Sequence, residues 1–118
     1  MNCSFQRAAP QQDIVEGKPS GRIVNGWPIL LTMSEGQYRA VIDRCTHAAS
    51  ELSTGRVRRG AVMCPLHGAR FELANGRCIG GTYKDLMTFE TRVADDWIEV
   101  AVPDEQPGLE HLPVRAHA

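Results

Sequence analysis

Apolar and polar residues alternate over short runs along this chain, and no run carries the 3.6-residue repeat of an amphipathic helix. Arg22-Ile23-Val24, Asn25-Gly26 and then Trp27 to Met33 predict a hairpin, because Asn-Gly adopts the positive φ angles of a type I′ turn at little cost. Pro28 has no N–H to offer a ladder, so the second strand is expected to start at an edge or beside a bulge. Glu35-Gly36 turns the chain into Gln37 to Asp43, where Tyr38, Ala40 and Ile42 alternate with Gln37, Arg39, Val41 and Asp43. Ala61-Val62-Met63 and Arg70-Phe71-Glu72-Leu73 are short strands, the latter followed by a hairpin turn at Asn75-Gly76. Thr88 to Val93 and Trp97 to Val102 pair across Asp95-Asp96. Residues 1 to 21 are turn-rich, with Phe5 to Ala8 and Ile14-Val15 as candidate short strands, whereas Glu51 to Arg59 is polar and predicts an exposed excursion. Residues 79 to 86, with Gly80-Gly81, predict irregular chain.

These elements predict an all-β fold, a small antiparallel sandwich or barrel with two loops set at one end. A chain of 118 residues suits one core. The expected division is a single domain over 1–103, with a loop-built subdomain at about 44–78, and a C-terminal surface tail over 104–118 that begins after Pro103. Trp27 and Trp97 fall in or at the start of strands and are expected in the core. The formal net charge of −1 gives no general attraction to nucleic acid or lipid. No apolar stretch approaches the roughly twenty residues that span a bilayer, and no signal peptide precedes the first strand, so a cytoplasmic protein is expected. A reducing compartment argues against a bridge between Cys3 and Cys78.

The chemistry concentrates in Cys45-Thr46-His47 and Cys64-Pro65-Leu66-His67-Gly68, separated by the sixteen residues Ala48 to Met63. Each segment offers one thiolate and one imidazole. A zinc site of two Cys and two His usually draws its cysteines from one knuckle and its histidines from one helical turn. Here each segment mixes the two, which suits a 2Fe–2S cluster whose irons take two Cys and two His respectively. Zinc remains the alternative. His111 and His117 lie in the tail, where no scaffold orients their rings, and are not expected to bind metal.

At Cys45-Thr46-His47 and Cys64-Pro65-Leu66-His67-Gly68-Ala69-Arg70-Phe71 the chain resembles the Rieske 2Fe–2S family, and in particular the ferredoxins of bacterial ring-hydroxylating dioxygenase systems. The resemblance covers roughly Phe5 to Val102, with the tail outside the compact pattern. It implies Cys45, His47, Cys64 and His67 as ligands of one Rieske cluster. It also implies a one-electron carrier rather than an enzyme, placed between a flavin-dependent ferredoxin reductase and a terminal oxygenase acting on aromatic compounds. The small subunit of an assimilatory nitrite reductase is the alternative within the fold; a zinc-stabilised structural module is the alternative outside it.

Two thiolates and neutral imidazoles leave the oxidised cluster uncharged, so adding an electron takes less electrostatic work than with four thiolates. Respiratory members of the family brace the cluster with a disulfide, at positions corresponding here to Ser50 and Leu66. They also donate hydroxyl hydrogen bonds from positions occupied here by Ala69 and Phe71. Their absence predicts a potential toward the lower end of the Rieske range, about −150 mV. Charge is divided as well: Arg44, Arg56, Arg58, Arg59, Arg70 and Arg77 surround the motif, while acidic residues dominate from Asp85 onward. That division would orient docking to redox partners.

Overall fold

The computed structural model describes residues 2–66 and 68–113, so His67 and His117 lie outside the described residues. Strands β1 (Cys3–Pro10), β2 (Ser20–Val24), β3 (Trp27–Ser34), β4 (Gln37–Ile42), β5 (Arg56–Arg58), β6 (Ala61–Met63), β7 (Arg70–Glu72), β8 (Thr88–Phe89), β9 (Thr91–Ala94) and β10 (Trp97–Pro103) form three antiparallel sheets. Their orders are β1-β10-β9, β2-β3-β4-β8 and β5-β6-β7. The all-β expectation is met, and no described helix is long and apolar enough to cross a membrane.

The β2–β3 hairpin turns through Asn25 and Gly26 with φ of 48° and 80°, as the dipeptide predicts. Asp95 and Asp96 do the same between β9 and β10, at φ of 52° and 66°. β3 is central rather than an edge strand. Pro28 is tolerated because it stands second in the strand, where the ladder loses one donor, while its carbonyl still accepts from the N–H of Asp43 at 2.9 Å. Ile29, Leu30 and Leu31 on β3 and Val41 on β4 are wholly buried, so both faces of this hairpin pack against other chain. On β10, Ile98, Val100 and Val102 alternate inward.

Four local expectations are revised. β1 runs the length of Cys3–Pro10, whereas Ile14-Val15 forms no strand and only Glu16 bridges to Met33. The polar segment Glu51 to Arg59 is no free excursion: fully buried Leu52 anchors it, and Arg56–Arg58 pairs with β6. The turn at Asn75-Gly76 forms, but its second strand shrinks to a single Phe71–Cys78 bridge. The run from Thr88 to Val93 divides at Glu90, so that β8 pairs with β4 and β9 with β10. Division is forced because one extended run cannot satisfy two differently twisted sheets without a corner.

The segment after Pro103 folds back over β3. Asn25 Nδ2 donates to the carbonyl of Pro103 at 3.1 Å, and Trp27 Nε1 donates to that of Glu105 at 2.9 Å. The His111 ring lies 4.9 Å from the Trp27 ring, and Arg44 Nε donates to the carbonyl of Leu112 at 3.2 Å. The described part of the tail is thus a strap that keeps Trp27 at 2 % exposure. Ending the chain at Asp104 is expected to red-shift tryptophan emission and to lower stability by about 1–3 kcal/mol, through the lost indole hydrogen bond and the wetted ring. Equilibrium denaturation followed by fluorescence checks both; an unshifted spectrum would show that the strap contributes nothing.

Candidate metal centre

β4 leads into the first cysteine loop and β6 into the second, and the two loops close with the same pair of backbone bonds. In the first, the N–H of Cys45 donates to the carbonyl of Ser50 at 2.9 Å, and that of Ala49 to the carbonyl of Cys45 at 2.8 Å. In the second, the N–H of Cys64 donates to the carbonyl of Ala69 at 2.7 Å, and that of Gly68 to the carbonyl of Cys64 at 3.2 Å. Each loop reverses within five residues of its cysteine. Each also places the fourth residue after the cysteine in the left-handed region, Ala49 at φ 58° and Gly68 at φ 73°. Glycine advertises this in the second loop; alanine conceals it in the first.

The result is two buried thiols facing one another, Cys45 at 0 % and Cys64 at 1 % exposure. Burial pushes the Cys45 thiol up, and its neighbour Cys64 adds to the effect, while the backbone N–H groups of Ala48 and His47 pull the other way. Ser50 Oγ stands 3.2 Å from Cys64 Sγ. Burial of two neighbouring thiols favours their neutral form, and only positive charge between them would make a buried pair of thiolates stable. The donor set therefore fits a metal centre better than an inert apolar core. Cys78 is also buried, but its thiol leans on the carbonyl of Ile79 at 3.8 Å, and Cys3 is exposed.

His47 is exposed at the end of the first loop, its ring stacked on Tyr83 with centroids 4.2 Å apart and planes 14° from parallel. Thr46 Oγ1 donates to the carbonyl of Lys84 at 2.6 Å, clamping this loop to the irregular segment 79 to 86. That segment is held in turn by Asp85, whose Oδ1 accepts from the N–H of Cys78 at 3.2 Å. Cys45, Cys64 and the His47 loop are thus gathered at one end of the fold. Among the described residues no three His, Cys, Asp or Glu converge on a single point, and a two-iron centre requires no such convergence. His111 pairs with Glu110 at 3.4 Å and packs on Trp27.

Sequence reasoning missed three supports. Asp43 is buried at the end of β4 and accepts from Ser53 through its backbone N–H at 2.7 Å and its hydroxyl at 2.6 Å, pinning the far side of the first loop. Burial pushes its carboxyl above the usual carboxylate range against those two donors. Its signal was a carboxylate directly after the apolar run Ala40-Val41-Ile42. Tyr83 was visible only as an aromatic residue amid glycines, and Ser50 only as a missing cysteine.

Left-handed strain at Ala49 amounts to about 1–2 kcal/mol, more than the roughly 0.4–1 kcal/mol of unfolded-chain entropy that a glycine adds. Ala49→Gly is expected to stabilise the protein slightly, and Gly68→Val to destabilise it by about 1–2 kcal/mol, both read from guanidinium midpoints. A loss of stability in Ala49→Gly would contradict the matched-loop geometry.

The Rieske [2Fe-2S] domain model matches residues 4–90. The ferredoxin component of the naphthalene 1,2-dioxygenase/salicylate 5-hydroxylase systems of Ralstonia sp is 36 % identical over 87 residues, covering 73 % of this chain and 84 % of that protein. Sphingomonas yanoikuyae B1 ferredoxin superposes with a TM-score of 0.78 at 20 % identity, over 85 % of this chain and all of that one. A putative NADH-dependent nitrite reductase small subunit from Mycobacterium tuberculosis gives the same TM-score and identity, over 89 % of this chain and all of that one, so these two likenesses speak to the fold alone. With paired cysteine loops, an all-β frame and a family match across most of its length, this chain belongs to the Rieske [2Fe-2S] domain family.

Proposed function

We propose that this chain is a soluble ferredoxin that carries one electron at a time from a flavin-dependent ferredoxin reductase to a terminal aromatic-ring-hydroxylating oxygenase. The observation that carries this reading is the pair of buried, neighbouring thiols of Cys45 and Cys64, with His47 exposed two residues after Cys45. Cys45 and Cys64 would supply the thiolates, and His47 and His67 the imidazoles. The cluster, when bound, accepts and releases a single electron. The protein's own residues exclude water from the sulfurs, fix the loops and hold the His47 ring against Tyr83. The relative in Ralstonia, a ferredoxin component of a dioxygenase system, supports an oxygenase as acceptor. A role as the small subunit of a nitrite reductase is favoured by fold likeness alone.

Docking follows from the third sheet. Arg56 pairs with Met63 and Met63 with Arg70, so the three side chains form one row across β5, β6 and β7 on the face opposite buried Val62 and Phe71. Met63 is 37 % exposed and directly precedes Cys64. Neither arginine forms an ion pair among the described residues. An apolar centre flanked by two cations, one residue from a proposed ligand, suits an acidic redox partner.

The freshly purified protein should contain iron and acid-labile sulfide and, once reduced, give a rhombic paramagnetic signal with average g below the free-electron value. His47→Ala should abolish that spectrum, whereas His111→Ala should leave it intact; equal loss in both would remove His47 from the ligand set. Reduced protein should pass electrons to a ring-hydroxylating oxygenase, and transfer confined to a sirohaem enzyme would favour the nitrite reductase reading. Arg56→Glu with Arg70→Glu should slow that transfer about tenfold or more at low salt and little at high salt. Rates independent of both charge and ionic strength would eliminate the docking row.

A further inference from the structure

Ser50 stands at the fifth position after Cys45, as Ala69 stands at the fifth position after Cys64. The repeated backbone bonds make these two sites structural equivalents, since each carbonyl accepts from the N–H of its own cysteine. Alanine leaves its site without a polar side chain. Serine fills the other with a hydroxyl that is buried, in a residue only 7 % exposed, and directed across the gap to Cys64 Sγ on the opposite loop. At 3.2 Å the contact is short for a hydrogen bond to sulfur, and it is the sole hydrogen bond formed by that hydroxyl among the described residues.

The geometry alone allows either atom to donate. A cysteine that ligates a metal has no proton left, so in the loaded protein Ser50 must be the donor and Cys64 Sγ the acceptor. A donor to a ligand sulfur stabilises the electron-rich form more than the electron-poor one, because the added charge spreads partly onto sulfur. Burial sharpens the difference, since little water competes at the site.

We infer that Ser50 is a positioning residue for the redox centre: its hydroxyl binds Cys64 Sγ across the two loops and raises the reduction potential. This rests on the cluster ligation proposed above. It also changes the low-potential expectation, which counted Ala69 and Phe71 as absent donors and overlooked one supplied from the other loop.

The test uses the loaded full-length protein and its Ser50→Ala, Ser50→Thr and Ala69→Ser variants. Iron and labile sulfide are assayed first, then the midpoint potential by protein-film voltammetry and the Fe–S(Cys) stretches by resonance Raman in H2O and D2O. Ser50→Ala should keep its iron and sulfide, lose the deuterium-sensitive shift of the Cys64 stretch and move to a lower potential. Ser50→Thr should restore both readouts, whereas Ala69→Ser should leave the deuterium-sensitive shift of wild type in place. A fully loaded Ser50→Ala protein with unchanged potential and deuterium shift would overturn the inference while leaving the ferredoxin reading intact. Wild-type protein without iron or sulfide would overturn both. If Ser50→Ala does not assemble, wild type and Ser50→Thr decide: a deuterium-sensitive Fe–S(Cys) stretch present in both supports the bond, and its absence from wild type refutes it.

Discussion

The site depends on a backbone bond pattern more than on any side chain. In each loop the cysteine N–H and carbonyl are both consumed by residues four and five positions downstream, so backbone bonds alone close the loop. Closure fixes the direction of the Cα–Cβ bond at Cys45 and Cys64, and hence the place of both sulfurs. It also explains the left-handed residues at Ala49 and Gly68, since a chain that reverses this tightly must pass through positive φ. Pre-closed loops lower the ordering entropy that ligation must overcome, which is the general advantage of building a metal site on fixed chain.

Around the loops the fold supplies three further constraints. Asp43 and Ser53 lock the exit of the first loop to the end of β4. Segment 79 to 86 approaches from the side and presents Tyr83 to His47. The small sheet β5-β6-β7 carries the second loop and turns its arginine-bearing face outward. These parts meet the site in different ways: hydrogen bonds at Asp43 and Thr46, ring stacking at Tyr83, and direct chain continuity from β6 into Cys64. The proposed ligands, the loop supports and the proposed docking row are different residues.

Much of this was legible in the residues themselves. Asn25-Gly26 announced its hairpin because a two-residue type I′ turn has few solutions, and the mixed Cys and His segments announced a metal centre because their spacing is hard to explain otherwise. What was missed is non-local. Pro28 gave a local rule that favoured an edge, but the position of β3 in its sheet is decided by which strands arrive on either side. Leu52 sat in a polar stretch, and its membership of the buried core is a matter of tertiary packing that local pattern does not carry. Ser50 was legible as an absence, and only the facing of the two loops shows what its hydroxyl touches. The tail carried prolines and charges, and its contacts with Trp27 and Arg44 lie about 80 and 70 residues away in sequence.

The pairing of β1 with β10 has a temporal consequence. The partner of the first strand is the last strand, so this sheet cannot close on the ribosome until residue 103 has emerged. The stretch from Arg56 to Glu72, by contrast, needs only its immediate neighbours to pair. During synthesis the small sheet that carries the second cysteine loop can therefore complete its ladder before the sheet built on β1 and β10 begins to form.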